Sequence, residues 1–257
     1  MDALIGYSGF VGSTLLKQRH FDSLFRSTNI DEIVGKTFDM VVCAGAPAQK
    51  WLANKDPVDD LQKINALIDK LKTVSCRQFI LISTVDVFKN PVGVDELTPV
   101  DTDGLHAYGL HRYYLEQFVS EHFPDALIVR LPGLVGPGLK KNIIYDFLHN
   151  NNLEQIESRG VFQFYPMINL WYDIQIALQH KLPLLHLTAA PVSVADVAKL
   201  GFGFEFTHHI HDKPGYYNMS SRHSHLFTHE DNYQYNQRES LMAIRAYAQS
   251  ELRKEEK

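Results

Sequence analysis

Gly6-Tyr7-Ser8-Gly9-Phe10-Val11-Gly12 follows the apolar run Ala3-Leu4-Ile5 and leads directly into Ser13-Thr14-Leu15-Leu16. A glycine at the first position permits a tight turn, the second lets a pyrophosphate approach the backbone, and the third lets helix and strand pack closely. The start of the following helix adds unpaired N–H groups and a favourable dipole for an anion. A glycine turn can also be purely structural, but its position between the first strand and the first helix favours a cofactor site. We therefore predict that a dinucleotide is bound by Gly6, Ser8, Gly9, Phe10, Val11 and Gly12.

Short apolar segments recur along the first half of the chain, at residues 39–43, 79–82 and 126–129. Because they are apolar almost throughout, we expect both faces of each strand to be buried, as in a parallel sheet covered by helices. Between these segments, residues 59–71 and 108–118 carry apolar side chains at helical spacing. This order predicts an α/β fold, a Rossmann-type doubly wound parallel sheet with a small C-terminal substrate-binding region.

The length of 257 residues favours a single domain, residues 1–257. Within it, we assign residues 1–138 to the dinucleotide-binding core. The regular pattern loosens after about residue 139, so we assign residues 139–257 mainly to elements of a substrate pocket and to a C-terminal helix that begins near Asn236.

The composition is that of an ordinary globular protein, with 45% hydrophobic residues, 21% charged residues and a formal net charge of -5. This charge offers no basic field to nucleic acid, so we expect a small-molecule substrate and no nucleic-acid partner. Cys43 and Cys76 lack CxxC spacing, and a buried free thiol is the expected state of Cys43. With no export signal and no membrane-spanning run in the sequence, we expect a reducing, cytoplasmic location. The sequence does not determine the oligomer, for which a homodimer is the candidate.

Four motifs in order carry a resemblance to a known family. They are the glycine turn at 6–12, Ile82-Ser83-Thr84-Val85-Asp86-Val87-Phe88, Tyr108-Gly109-Leu110-His111-Arg112, and the segment at 129–138. Together they cover most of residues 3–138 and resemble the extended (atypical) short-chain dehydrogenase/reductase family of NAD(P)-dependent sugar epimerases, dehydratases and reductases. The run at 83–88 is similar to the Ser-Thr-Asp-Tyr-Val-Phe run of the dTDP-4-dehydrorhamnose reductase branch. Two later segments are similar to family helices: 169–178, which would close the substrate pocket, and the helix after Ser193, a candidate N-cap.

The resemblance implies three catalytic positions. Thr84 would hydrogen-bond the substrate oxygen, Tyr108 would exchange the proton, and Arg112 stands where the family has the lysine that lowers the tyrosine pKa and holds the ribose. A free tyrosine has a pKa of about 10 and needs a nearby cation to act as a base. Helical spacing would let Arg112 approach both the Tyr108 oxygen and the ribose, but arginine stays protonated and cannot relay a proton as an ammonium can. Each residue also has a structural alternative when it is considered alone. Thr84 could be an ordinary strand threonine, and Tyr108 could be a ring packed in the core.

The choice between NADP and NAD depends on the end of the second strand, where the family reads the adenosine ribose. This segment offers Arg26 and Ser27 and no acid until Asp31, which favours NADP over NAD. A solvent-facing arginine with no ligand is the alternative.

The segment after the next strand is also expected at the ligand edge of the sheet. We predict that the cofactor is bordered by Ala44, Gly45 and Ala46, with Tyr108 and Arg112 as further contacts. Lys50 or Trp51 would face the substrate, although Trp51 fits the core equally well.

Two further groups of residues are weaker candidates. His208, His209 and His211, with His223, His225 and His229, lack a recognised ligand spacing, so we predict surface or pocket histidines and no metal. By family position, the pocket candidates are Asn142, Tyr165, Asn169 and Tyr172, each set against an ordinary loop asparagine or a packed ring.

Two functions remain open from the sequence. The first is an NAD(P)-dependent reductase or epimerase that acts on a nucleotide sugar or a related carbonyl compound, with Tyr108 transferring the proton. The second is a non-catalytic dinucleotide-binding sensor or partner protein. The pair of Thr84 and Tyr108 favours the first, and Arg112 favours the second.

Overall fold

The computed structural model describes residues 1–227 and 232–252. In chain order its strands are β1 (Asp2–Ile5), β2 (Ser23–Phe25), β3 (Thr37–Cys43), β4 (Ser75–Thr84), β5 (Val92–Val94), β6 (Leu127–Leu131), β7 (Gly133–Val135), β8 (Val161–Phe162), β9 (Phe164–Pro166), β10 (Leu184–His186), β11 (Val192–Ser193) and β12 (Asn218–Met219). The α-helices are α1 (Phe10–Gln18), α2 (Lys50–Lys55), α3 (Pro57–Leu71), α4 (Ala107–His122), α5 (Ile143–His149), α6 (Leu170–Gln179), α7 (Val194–Asp196) and α8 (Gln237–Ser250). Short 3-10 turns cover Ile30–Ile33, Val85–Val87, Leu153–Gln155, Met167–Asn169 and Ser224–Phe227, and a π-helical segment covers Val197–Phe202.

The chain divides into two compact units. The first, called the sheet unit, contains Met1–Lys89, Glu96–Leu131 and Leu170–His186, and the second unit contains Asn90–Asp95, Pro132–Asn169 and Leu187–Lys257. The chain passes from the sheet unit to the second unit after Leu131, close to the predicted boundary at residue 138. The later segment Leu170–His186 belongs to the sheet unit again. The assignment of the whole chain to one domain stays a prediction.

The sheet unit contains a six-stranded parallel sheet in the order β10-β6-β4-β3-β1-β2. β1 lies between β2 and β3, so Leu4 is paired with Leu24 on one side and Val42 on the other. Helices cover this sheet, and the predicted Rossmann-type fold is confirmed. All four strands predicted from apolar runs are present as β1, β3, β4 and β6.

The two long helices of the sheet unit also lie where the hydrophobic spacing predicts them. α3 begins with Pro57, a favoured residue in a first turn because its missing N–H needs no partner there. The Asp56 carboxylate caps this helix by accepting a hydrogen bond from the Asp59 N–H at 3.1 Å. Ile64 and Leu71 are fully buried in the core of the sheet unit.

A buried ion pair joins β4, α4 and β6. The Glu116 carboxylate accepts hydrogen bonds from Arg130 Nη2 at 2.6 Å and from Ser83 Oγ at 2.5 Å, and all three side chains are buried. A buried charge is tolerated when it is paired and hydrogen-bonded. The pair therefore fixes α4 against the end of β4, one residue before Thr84.

The second unit has three two-stranded pairings, β11-β8, β12-β5 and β7-β9. The buried carboxamide nitrogen of Gln163 lies 2.7 Å from Thr188 Oγ1, 2.6 Å from the Ala189 carbonyl oxygen and 2.8 Å from the Met219 carbonyl oxygen. Ser193 caps α7 as predicted, since its Oγ accepts from the N–H of Asp196 at 3.0 Å.

The predicted C-terminal helix is present as α8, which begins after a capping box formed by Asn236 and Glu239. Residues 253–257 of that prediction lie outside the described residues. In the described part of the chain, no helix has the length and apolar character needed to cross a membrane.

Candidate active site

Two glycines of the first turn are required by the fold itself. Gly6 has φ +84°, and a Cβ on it would lie 2.3 Å from the Ala44 carbonyl oxygen. A Cβ on Gly12 would lie 2.1 Å from the Gly6 carbonyl oxygen. At Gly9, by contrast, a Cβ would meet nothing closer than 3.4 Å, so the fold does not require a glycine there.

The start of α1 is open to an anion. Ser13 makes the first intrahelical hydrogen bond, to the Gly9 carbonyl at 2.8 Å, so the N–H groups of Phe10, Val11 and Gly12 precede the hydrogen-bonded ladder. No side chain within residues 1–227 or 232–252 caps this helix. Ser8 and Gly9 are exposed to solvent. These groups fit the phosphates of a dinucleotide.

The segment after β3 lies beside the glycine turn. Ile5 and Cys43, the last residues of β1 and β3, are paired, and the Ala44 N–H donates to the Ile5 carbonyl at 2.9 Å. A Cβ on Gly45 would lie 2.8 Å from the Ile5 side chain. The structure therefore brings Ala44, Gly45 and Ala46 to the same sheet edge as the turn, as the sequence predicts.

Arg26 directly follows β2 and lies close to the same turn. The Gly6 N–H donates to the Phe25 carbonyl at 2.7 Å, and the Arg26 guanidinium is 5.7 Å from the centre of the Tyr7 ring. Arg26 and Ser27 are exposed, and Arg26 Nε donates to Thr28 Oγ1 at 2.9 Å. An exposed cation and hydroxyl at this edge fit a ribose 2′-phosphate.

Thr84 and Tyr108 come together although 24 positions separate them, because Thr84 ends β4 and Tyr108 lies in the first turn of α4. The Tyr108 pKa is raised by burial and by the nearby Asp86 carboxylate. The charges of Arg112 and Lys50 and a hydrogen bond with Thr84 act in the opposite direction. The phenol is therefore protonated at neutral pH and is set up to donate its proton.

Gly109 allows the close approach of α4 to β4. A Cβ on this glycine would lie 2.1 Å from the Asp86 carbonyl oxygen. His106 caps the same helix end, where its ring Nδ1 accepts a hydrogen bond from the Gly109 N–H at 3.0 Å. The pKa of His106 is lowered by burial and by the positive charge of Lys50, which keeps Nδ1 available as an acceptor.

Arg112 is buried, and a carboxylate holds its guanidinium. Nη1 and Nη2 donate to the two carboxylate oxygens of Asp60 at 2.5 and 2.8 Å, and further hydrogen bonds go to the carbonyls of Pro47 at 2.5 Å and Tyr108 at 3.3 Å. The guanidinium carbon lies 4.0 Å from the centre of the Tyr108 ring. The remaining N–H, at Nε, is buried without an acceptor in the described ranges. Arg112 is thus beside Tyr108 as predicted, but its four terminal donors serve the protein.

A second cation reaches this site from α2. Lys50 Nζ lies 2.7 Å from the Asp86 carboxylate, and the side chain of Lys50 is 39% exposed. The sequence placed Lys50 near the substrate but gave Asp86 no role. The pair joins residues 36 positions apart in different elements, so no local spacing could have indicated it.

No role was assigned to Asp60 from the sequence either, although the sequence contains a pattern that indicates one. Asp60 lies on the same face of α3 as the buried residues Ile64, Leu67 and Leu71. A carboxylate within an apolar stripe at helical spacing must find a buried partner. That partner is the cation on α4.

The pocket candidates take varied positions. Tyr165 is fully buried and its ring packs against that of Tyr235 at 5.5 Å, as a packed aromatic residue does. The Asn142 carboxamide donates to the Leu134 carbonyl and caps α5. Asn169 is half-buried, and the side chain of Tyr172 is exposed. The assignment of these four residues to a pocket stays a prediction.

Trp51 does not pack in the core. This alternative was wrong, because the side chain is 66% exposed at the start of α2.

The histidine-rich region shows no metal-binding cluster among the residues that the structure describes. The His208 ring packs at a tilt against the Phe206 ring, with 4.4 Å between ring centres, and its Nδ1 lies 3.3 Å from the Leu153 carbonyl oxygen. His229, the last member of the predicted group, lies outside the described residues.

By its fold, the chain is a Rossmann-type α/β protein of the kind found among nucleotide-sugar reductases and epimerases. It is similar to dTDP-4-dehydrorhamnose reductase from Yersinia enterocolitica, with a TM-score of 0.75 and 14% identity over 98% of this chain and 99% of that one. It is similar to MoeE5 in complex with UDP-glucose and NAD, with a TM-score of 0.73 and 15% identity over 96% and 98%. A third similar structure is RMD from Pseudomonas aeruginosa complexed with NADPH. Its TM-score is 0.71 and its identity is 16%, over 98% of this chain and 99% of that one. No protein-family model and no curated protein sequence matches the chain.

Proposed function

We propose that this protein is an NAD(P)-dependent oxidoreductase or epimerase that acts on a nucleotide sugar or a related carbonyl compound. The observation that carries this proposal is the closeness of the Thr84 and Tyr108 side chains at the end of a parallel sheet. Shared fold alone does not imply shared chemistry, so the proposal rests on this pair and not on the similarity. The similarity adds that proteins of this fold have been observed with UDP-glucose and NAD, and with NADPH.

The residues present fit a nicotinamide dinucleotide. Gly9 has no Cβ in an exposed turn where the fold tolerates one, and the uncapped start of α1 offers N–H groups to phosphates. Arg26, with no carboxylate beside it in sequence until Asp31, favours NADP over NAD. When bound, the cofactor would supply or accept the hydride.

Thr84 and Tyr108 supply the proton chemistry. Two hydroxyl groups held close together can both donate to one substrate oxygen placed between them, because each has one O–H. Because burial raises the Tyr108 pKa, its ground state is the phenol. That state suits reduction, in which Tyr108 gives its proton to the carbonyl oxygen while Thr84 orients it. Oxidation would first require the phenol to lose its proton.

Binding and chemistry are tested separately. Calorimetric titration is expected to show tighter binding of NADPH than of NADH. Arg26→Ala is expected to reduce the ratio of the two affinities. Gly9→Ala should leave the fold intact and weaken NADPH binding by about tenfold or more, because the added methyl group occupies the phosphate approach. Lys72→Ala, a change to an exposed cation that pairs with Asp69 at the end of α3, serves as the control. Absence of heat with either dinucleotide would refute a cofactor role for the turn.

Turnover is tested with a panel of carbonyl compounds and nucleotide sugars. Tyr108→Phe is expected to lower kcat by about 10²–10⁴-fold, the usual contribution of a general acid, and to leave the NADPH Kd nearly unchanged. Wild-type activity in this variant would remove Tyr108 from the mechanism.

The second candidate is a dinucleotide-binding protein without catalysis. The commitment of Arg112 to Asp60 favours it, because the cation expected to hold the ribose is engaged elsewhere. NADPH binding with no turnover across the panel would support this candidate.

A further inference from the structure

The Arg112 guanidinium lies beside Tyr108 and its charge favours the phenolate, but a buried carboxylate holds this guanidinium in place. Both Asp60 carboxylate oxygens face its guanidinium, and the side chains of the two residues are only 3% and 5% exposed. His111 Nδ1 also lies 2.7 Å from Asp60. This buried cluster joins α3 to α4.

Lys50 begins a short helix, α2, that packs against α4. Lys50 and Asn54 are four residues apart on α2, so they lie on one face. The Asn54 carboxamide oxygen accepts a hydrogen bond from the Tyr108 N–H at 3.0 Å, which fixes α2 against the first turn of α4. One helical turn earlier, the Lys50 ammonium reaches Asp86 at 2.7 Å.

Asp86 is itself held next to Tyr108. Its N–H donates to Thr84 Oγ1 at 3.1 Å, and its carbonyl lies against Gly109, the neighbour of Tyr108. The charged and titratable groups around the phenol in the described residues are therefore Lys50 from α2, Asp86 from the 3-10 turn, Arg112 from α4, and His106, which caps α4.

The two cations differ in what they can do. A lysine ammonium is a compact point charge on a flexible stem, whereas an arginine guanidinium is a planar fork that here is fixed by four hydrogen bonds. Lys50 is half-exposed, and its positive charge, like that of Arg112, favours the ionised form of Tyr108.

We infer that Lys50, held by Asp86, is the positioning residue that stabilises the phenolate formed when Tyr108 gives its proton to the substrate oxygen. The lysine of this site would thus come from α2 and not from position 112. The inference rests on the proposed function, since it assigns a partner to the proposed proton donor.

The first experiment needs no turnover. Replacing Tyr108 with 3,5-difluorotyrosine, whose lower intrinsic pKa brings ionisation towards neutral pH, lets absorbance report this one ring among the 12 tyrosines. Lys50→Met is expected to weaken the acidity of this ring by about tenfold, one pKa unit, because a nearby positive charge is lost. Asp86→Asn should shift the titration in the opposite direction, and Lys50→Arg should remain close to the parent.

Lys55→Met is the matched control, because it removes a positive charge from the other end of the same short helix. It is expected to leave the titration unchanged. Equal shifts in Lys50→Met and Lys55→Met, or no shift in either, would overturn the inference.

The second experiment uses any substrate found in the panel. Lys50→Met should lower kcat by about tenfold with little change in the NADPH Kd, and Lys50→Arg should restore most of the rate. If Lys50→Met weakens NADPH binding and leaves kcat intact, Lys50 is a cofactor contact and the inference is wrong. If the wild type turns over nothing, the proposed function fails, and the titration of position 108 still decides whether Lys50 sets its acidity.

Discussion

Two ion pairs lie beside Tyr108 and differ in their contact with water. The side chains of Asp60 and Arg112 are about as buried as core residues, whereas those of Asp86 and Lys50 are 18% and 39% exposed. A buried pair cannot lose one partner without leaving a charge in a poorly solvated place, but water screens the loss at a half-exposed pair. One pair therefore belongs to the frame of the sheet unit, and the other is the pair to which we assign an effect on proton transfer.

The largest effect is expected from removing the buried acid. Asp60→Leu should lower the free energy of unfolding by about 3–5 kcal/mol, because Arg112 remains buried without its carboxylate. Urea titration followed by circular dichroism measures the loss. Adding Arg112→Met should regain part of it, although His111 still lacks its acceptor. A loss below about 1 kcal/mol would place this pair with ordinary surface pairs.

A smaller loss is expected when the buried cation is shortened. Arg112→Lys should cost about 1–3 kcal/mol, because one ammonium cannot satisfy the Asp60 carboxylate and the Pro47 carbonyl together. Thermal denaturation gives the change in stability, and turnover should not increase. A variant that is both stable and faster would indicate that a lysine at 112 serves Tyr108 after all.

Acid pH should also distinguish the two pairs. Burial raises the Asp60 pKa, but hydrogen bonds from Arg112 and His111 and their charges outweigh it and hold the pKa below the usual value. The pair therefore adds stability above the unfolded pKa of about 3.9, and this stability is lost as the pH falls through the lower folded pKa. Stability measured from pH 6 to pH 2 should fall less steeply in the Asp60→Leu, Arg112→Met variant. Identical slopes would contradict this linkage.

The smallest effect is expected at the half-exposed pair. Lys50→Met should change the free energy of unfolding by less than about 1 kcal/mol, and 1 M salt should reduce the difference further because exposed charges are screened. Urea titration at low and high salt provides the test. If Lys50→Met lowers the free energy of unfolding as much as Asp60→Leu does, Lys50 is a structural residue and the two pairs do not differ.

The sequence predicts the features that local pattern determines. The glycine turn, the buried strands and the helices around Ile64 and Leu115 follow from spacing over a few residues, and each is present in the sheet unit. Thr84 and Tyr108 are brought together because the carboxyl end of a parallel strand and the start of the next helix lie at one sheet edge. β10 was not predicted, because three residues ending in His186 give too short a pattern to distinguish a strand.

The partners of the charged residues could not be predicted in the same way. Arg112 and Asp60 lie on different helices, and Lys50 and Asp86 meet across two other elements. Such pairs depend on how the elements pack, which no periodicity encodes. The resemblance assigned a role to position 112 by its spacing from Tyr108, but spacing does not show that a carboxylate on α3 already holds the guanidinium.

The two free cysteines lie on adjacent strands, and their alkylation rates report on the opening of the sheet. Cys43 is fully buried at the end of β3, beside the glycine turn, and burial raises its thiol pKa to about 11. Cys76, near the start of β4, is only partly buried, and its pKa is also raised to about 11. At neutral pH about one thiol in ten thousand is then the reactive thiolate for either cysteine. Because Cys43 is also fully buried, a reagent reaches its sulfur only when the sheet opens. The labelling rate of Cys43 relative to Cys76 therefore measures how often the edge that carries the glycine turn separates, and a ligand seated on that turn should slow it.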